Sequence, residues 1–158
     1  MDYSLLTSGE AFDEKFILYG SMLYRLCMVY LKNHADTEDA IQDTFIKLIY
    51  KSPKFKTLED EQRWLVRVAV NVCKDYLKRS RNKDVPIETE LEISERSETN
   101  EIFQILAGLP EKYRAPTYLY YTEGFSVEEI SKMLDIGKSA VKMRLQRGRE
   151  MLKSEMEK

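Results

Sequence analysis

Between residues 12 and 30 the apolar side chains Phe12, Phe16, Tyr19, Leu23, Leu26, Cys27 and Tyr30 recur three or four positions apart, the spacing of one helix face, and the pattern ends by Asn33. A second stripe, Ile41, Phe45, Leu48 and Ile49, stops before Ser52-Pro53. Asp36 is its expected N-cap, and Glu38 and Asp39 suit the positive end of its dipole. A third stripe carries Trp64, Leu65, Val68, Ala69, Val72, Tyr76 and Leu77. Apolar periodicity then lapses until Ile102, Phe103, Leu106 and Leu109, after which Leu109-Pro110-Glu111 opens a helix leading to Gly124. Pro116 lies inside that pattern and lacks a backbone donor, so a kink or restart is expected there.

Residues 126–149, SVEEISKMLDIGKSAVKMRLQRGR, read as two short helices across a tight turn. Ser126 and Glu129 have the spacing of a capping box, with Phe125 and Ile130 at the ends of a hydrophobic staple. Ile130 and Leu134 form one apolar face, which Asp135-Ile136-Gly137 interrupts. Val141, Leu145 and Leu152 resume it, leaving Lys142, Met143, Gln146, Arg147 and Arg149 on the other side. This is a helix-turn-helix pattern, able to bury one side and offer the other to a DNA groove. An ordinary helical hairpin with a solvated basic face has the same signature.

The fold expected is all-α: two small helical domains, over 8–83 and 101–158, joined by a flexible acidic linker over 84–100. Composition agrees, with 6 Gly and 4 Pro against 43% hydrophobic and 33% charged residues. The formal net charge of −2 hides a strong segregation. Residues 63–83 carry Arg63, Arg67, Lys74, Lys78, Arg79, Arg81 and Lys83 against Asp75 alone, and 138–153 are similarly basic. Residues 84–101 reverse the sign. Two basic domains on an acidic tether suit a nucleic-acid partner.

No apolar run reaches membrane-spanning length and the N-terminal stretch lacks a signal-peptide layout, so no membrane insertion and a cytoplasmic location are expected. Cys27 and Cys73 fall in helical stripes without metal-ligand spacing and are expected as buried thiols. His34, the single histidine, is expected in a loop. No cofactor, metal site or catalytic residue is expected. Asp36, Glu38, Asp39 and Asp43 are the nearest approach to a magnesium site, but only three of them share a helix face and no phosphate loop accompanies them.

Four motifs, DTEDAIQDTFIKL (36–48), RWLVRVAVNVCKDYLKR (63–79), LPEKYR (109–114) and the helix-turn-helix, occur in the order and spacing of bacterial sigma-70-family initiation factors. Over residues 10–155 the chain resembles the short extracytoplasmic-function (ECF) group, which retains regions 2 and 4 and the linker between them. The resemblance implies a factor that directs core RNA polymerase to promoter DNA, contacting the beta-prime clamp helices and the beta flap, with an anti-sigma factor as a further partner. It assigns Asp39, Gln42 and Asp43 to polymerase docking. It places residues 52–61, including Lys54, Phe55 and Lys56, with Arg67, Asn71 and Lys74, at the site that captures an unstacked minus-10 base, and leaves Trp64 between core residue and melting wedge. Ser139, Lys142, Met143, Gln146, Arg147 and Arg149 fall on the minus-35 recognition helix, and the acidic linker would pass through polymerase channels that otherwise hold nucleic acid. Asp135 stands where a turn glycine is usual, Met143 where a small polar residue is common, and Pro116 is unusual. An operator-binding regulator acting without polymerase is the alternative, and it leaves the N-terminal domain unexplained.

Overall fold

The computed structural model describes residues 9–82 and 99–157, with side chains over 13–80 and 101–157. These residues form seven helices: α1 (Gly9–Leu31), α2 (His34–Lys51), α3 (Leu58–Asn82), α4 (Thr99–Gly108), α5 (Glu111–Tyr121), α6 (Val127–Leu134) and α7 (Lys138–Met156). No strand occurs among them. Most of the linker lies outside the described residues, and Thr99 and Asn100, assigned to it above, belong to the first turn of α4.

Helices α1, α2 and α3 pack pairwise around Tyr19, Leu23, Leu26, Phe45, Leu48, Leu65 and Ala69, all buried. Phe16, expected in that stripe, is half-exposed with its ring against Phe45, and the side chain of Phe12 lies outside the described residues. Cys27 and Cys73 are free and buried, and burial, with the Cys27 thiol hydrogen-bonded alongside, pushes the Cys73 thiol up.

Helix α2 starts earlier than expected. Asn33, in extended backbone, is its N-cap, and its Oδ1 accepts from the Asp36 amide at 2.8 Å. Asp36 is therefore the third helical residue, where its carboxylate accepts in return from Asn33 Nδ2 at 2.9 Å. The first bond satisfies one orphan amide of the helix start, and the second, between side chains, fixes the Asn33 amide in the orientation that makes it. It also makes His34 the first residue of α2 rather than a loop residue, with Nδ1 against the Tyr24 hydroxyl.

Helices α4 to α7 form the second unit. Pro116 does not divide α5, which runs unbroken from Glu111 to Tyr121. Pro116 sits in the second turn, where its missing amide forfeits one bond of the ladder without ending the helix. Pro116 is buried with Ala115, Thr117, Tyr118 and Leu119. The capping box of α6 has both halves, Glu129 N–H to Ser126 Oγ at 3.1 Å and Ser126 N–H to Glu129 Oε1 at 3.2 Å. Asp135 closes α6 in the left-handed region at φ 55° and ψ 48°, as a residue standing in for a turn glycine must.

The two units are docked on each other. Buried residues of α1–α3 and α4–α7 belong to one continuous core, in which α1 meets α4 and α5, and α3 meets α6. Polar contacts frame this junction. Arg114 Nη1 donates to the Tyr30 carbonyl at 3.2 Å, Arg25 Nη2 to Glu123 Oε1 at 2.8 Å, and Arg67 Nη2 to the Lys132 carbonyl at 2.5 Å.

Candidate nucleic-acid interface

Helix α7 presents a free polar face. Val141, Leu145 and Gly148 turn inward, and Ile130 and Met133 of α6 are buried on the other side, with Leu134 only half-buried. Ser139, Lys142, Met143, Gln146, Arg147 and Arg149 are all exposed. The first turn of α7 has no acidic residue, so the positive end of its dipole adds to these cations. A helix held by its inner face, with amide and guanidinium groups projecting from the other, can form bidentate contacts with base edges.

A second set gathers on α3 and the loop before it. Lys54, Phe55, Lys56, Trp64 and Arg67 line an open cleft of about 350 Å³, completed by Pro53, Asp60, Arg63 and Lys132. Phe55 and Trp64 meet edge to face at 5.7 Å between ring centroids. Trp64 is partly buried against the core and partly open to the cleft, so it serves packing and the cleft wall together. Rings flanked by cations match what single-stranded nucleic acid requires, a stacking surface with charges along the backbone. Asn71 and Lys74 follow Arg67 on the same face of α3, exposed and one to two turns beyond the cleft. Two residues of 52–61 serve the fold instead. Ser52 is buried, and Glu61 is 2% exposed, accepting from Lys15 Nζ at 2.6 Å and from the Tyr19 hydroxyl at 2.8 Å.

A third face lies on α2, where Asp39 and Gln42 are exposed and Asp43 is half-buried. The Tyr76 hydroxyl donates to Asp43 Oδ2 at 3.3 Å, and the Arg79 guanidinium lies 4.6 Å from the Tyr76 ring centre. Burial and the Asp43 carboxylate push the Tyr76 hydroxyl up to about 12.

The family profile described as Sigma-70 region 2 matches residues 16–83, and that described as Sigma-70, region 4 matches residues 99–152. The chain belongs to the sigma-70 family, in its ECF group. It is 28% identical to the ECF RNA polymerase sigma factor SigW of Bacillus subtilis over 93% of this chain and 89% of that one. To the ECF RNA polymerase sigma factor SigM of the same organism it is 29% identical, over 90% and 93%. Its fold is similar to that of the sigma factor RpoE from Bartonella quintana, solved with the anti-sigma factor NepR, at a TM-score of 0.77 and 21% identity over 92% of this chain and 96% of that one. CnrH, solved with the cytosolic domain of CnrY, has a TM-score of 0.69 at 20% identity over 97% and 92%.

In sigma-70 terms, α1–α3 are region 2 and α4–α7 are region 4. Several residues beside the faces of this sigma factor escaped the sequence pattern. Tyr76 and Asp43 are 33 positions apart, and only the packing of α3 on α2 joins them. Lys132 belongs to region 4 yet borders the region 2 cleft, which follows from docking alone. Arg63 was visible within the basic run, but its pairing with Asp60 was not. Among the described residues no cluster of His, Cys, Asp or Glu is placed to hold a metal ion, and no helix is long and apolar enough to cross a membrane.

Proposed function

We infer that this chain is an RNA polymerase sigma factor of the ECF type, which brings core enzyme to particular promoters and starts transcription there. Region 4 reads the minus-35 element as duplex, through Ser139, Lys142, Met143, Gln146 and Arg147, with Arg149 nearer the phosphates. Region 2 captures an unstacked minus-10 base at the Phe55–Trp64 cleft, with Lys54, Lys56, Arg67, Asn71 and Lys74 serving edge and backbone. Asp39, Gln42 and Asp43 dock on the beta-prime clamp helices, where an acidic face meeting a basic partner gives attraction and register. The beta flap is the expected partner of region 4. An anti-sigma factor is a further partner, of the kind found with RpoE of Bartonella quintana. The protein works in the cytoplasm by binding rather than by catalysis. Its domains follow the bounds 8–83 and 99–158, with the acidic tether over 84–98.

The observation that carries this reading is the division of labour among three separate faces: a helix-turn-helix outer face, an aromatic-cationic cleft and a carboxylate patch. An operator-binding regulator needs only the first. Co-elution with purified core polymerase, followed by transcription from a randomised promoter library, tests it. The expected result is polymerase-dependent initiation from a shared pair of sequence elements. Tight sequence-specific duplex binding by the isolated chain at physiological salt, without co-elution, would overturn it in favour of a regulator.

A further inference from the structure

Helix α3 lines the cleft with Asp60, Arg63, Trp64 and Arg67, at the i, i+3, i+4 and i+7 spacing of one helix face. Asp60 is the exception on that face. The other charged side chains of the cleft, Lys54, Lys56, Arg63, Arg67 and Lys132, are cations, which suits a backbone of phosphates. A carboxylate among them repels that backbone and lowers the affinity for any strand that makes no use of it. Nor does the helix start require it. The Asp60 amide donates to Thr57 Oγ1 at 3.1 Å, and Glu59 and Glu61 share the first turn. The Asp60 side chain is 40% exposed and pairs with Arg63, an open ion pair of a kind that adds little to stability.

The hydrogen-bonding inventory of the cleft gives this carboxylate a use. Lysine, arginine and tryptophan side chains only donate, and those of proline and phenylalanine do neither, so among the described side chains lining the cleft Asp60 alone accepts. A base stacked against Phe55 or Trp64 brings its pairing edge among these groups, and an amino group on that edge finds its side-chain partner at Asp60. Asn71, the amide expected to read an edge, stands one to two turns beyond the cleft. Arg63 engages Oδ1 of Asp60 and keeps most of its five N–H groups for other acceptors. One remaining carboxylate oxygen beside a guanidinium offers an acceptor next to donors, the order found on the pairing edge of guanine. Its complement is cytosine, whose N4 amino group adjoins the N3 and O2 acceptors. Thymine has no amino group and turns carbonyl oxygens towards the carboxylate. Guanine needs both carboxylate oxygens for its N1–H and N2–H pair, and Arg63 holds one of them. Adenine offers its amino group with a single acceptor alongside, and so satisfies the pair less completely.

We propose that Asp60, braced by Arg63, is a specificity-determining residue of the cleft, selecting cytosine at the captured minus-10 position by accepting from its N4 amino group while Arg63 donates to N3 or O2. The inference rests on the reading of this cleft as the base-capture site, and adds which base it takes and why. Repulsion between Asp60 and the backbone then works as discrimination: a strand without the amino group meets an uncompensated carboxylate, and the matching base offsets the cost of desolvating it.

The test uses holoenzyme reconstituted from core polymerase and the full chain, with fork-junction DNA whose non-template minus-10 bases are single-stranded and varied one position at a time. Wild type should prefer cytosine over thymine by about tenfold at one position. Replacing that cytosine by 2-pyrimidinone, which lacks only the 4-amino group, should cost wild type about tenfold in affinity and cost Asp60→Ala almost nothing. Asp60→Asn, whose side chain can also donate, should erase the preference over thymine. Comparing two bases within one variant cancels any change in stability, so a merely structural Asp60 would leave the ratio where it was. Equal binding of cytosine and 2-pyrimidinone by wild type, a ratio that survives Asp60→Ala, or a preference for another base at every position overturns the proposal. Phe55→Ala checks the reading beneath it and should weaken binding to every strand. Undiminished binding by that variant would show that the cleft does not hold the base, a separate and distinguishable failure.

Discussion

The Thr117 hydroxyl on α5 fills the space where a β-carbon at Gly148 of α7 would lie. Helices α5 and α7 therefore approach at a glycine in mid-helix, a position where glycine alone costs about 1 kcal/mol relative to alanine. The close packing offsets that penalty.

Gly148→Ala should consequently destabilise region 4 despite its better helix propensity, by about 1–3 kcal/mol, the usual cost of overpacking. The Thr117 hydroxyl is buried without a hydrogen-bond partner, so little is lost by removing it. Thr117→Ala combined with Gly148→Ala should recover most of the loss. A thermal-denaturation double-mutant cycle checks the coupling, and strictly additive effects would refute the contact.

Residues of the 52–61 segment should separate into two groups. Glu61→Ala should cost about 2–4 kcal/mol of stability, because it strands Lys15 and the Tyr19 hydroxyl beside a buried gap. Lys54→Ala and Lys56→Ala should leave stability within about 0.5 kcal/mol, as exposed substitutions do. Their effect should appear in promoter opening, read by permanganate footprinting of the melted region. An equal effect on pre-melted and duplex promoters would remove them from the capture site.

On α2, Asp39→Lys should abolish co-elution with core polymerase while leaving the circular dichroism spectrum and melting temperature unchanged, since the side chain is exposed. Asp43→Lys should lose co-elution and also about 1 kcal/mol of stability, because it breaks the bond from Tyr76. Undiminished co-elution by the pair would leave Asp39 a solvated side chain and Asp43 the acceptor for Tyr76 only.

Along α7, Arg147→Ala and Gln146→Ala should alter which minus-35 bases are preferred, at about 1–3 kcal/mol per base-edge contact. Arg149→Ala should weaken every sequence alike and lower the salt slope by about one. Lys142 suits either role, since lysine serves guanine edges and phosphates. Holoenzyme binding to a minus-35 variant library across a salt series separates the cases, and unaltered base preference in the first two variants would reverse the orientation assigned to the helix.

Much of the fold was legible because helix periodicity is local. The stripes from Tyr19 to Tyr30, Ile41 to Leu48 and Val141 to Leu145 pack as their spacing requires, and the Ser126–Glu129 capping box closes within four residues. The start of α2 was misplaced by three residues because Asn33 and Asp36 both suit a cap, and only backbone geometry decides between them. At Pro116 the restart does not occur, because the buried packing of Ala115 to Leu119 holds the helix through one lost amide bond. The junction of regions 2 and 4 was not legible at all. It joins residues 65 to 98 positions apart, such as Arg25 with Glu123 and Arg67 with Lys132, and no periodicity encodes such pairings.

The outer face of α7 and the inner face that holds it are chemically independent, for none of Ser139, Lys142, Met143, Gln146, Arg147 or Arg149 is buried. Exchanging those side chains leaves the domain's interior as it was. On the proposed reading of this face, promoter preference can diverge between copies of such a gene one base at a time, with almost no foldability cost to slow the drift. The region 2 cleft has that freedom only in part: Lys54 and Lys56 are exposed, whereas Arg67 is tied to α6 and Trp64 to the core, so changes at those two must also satisfy the architecture.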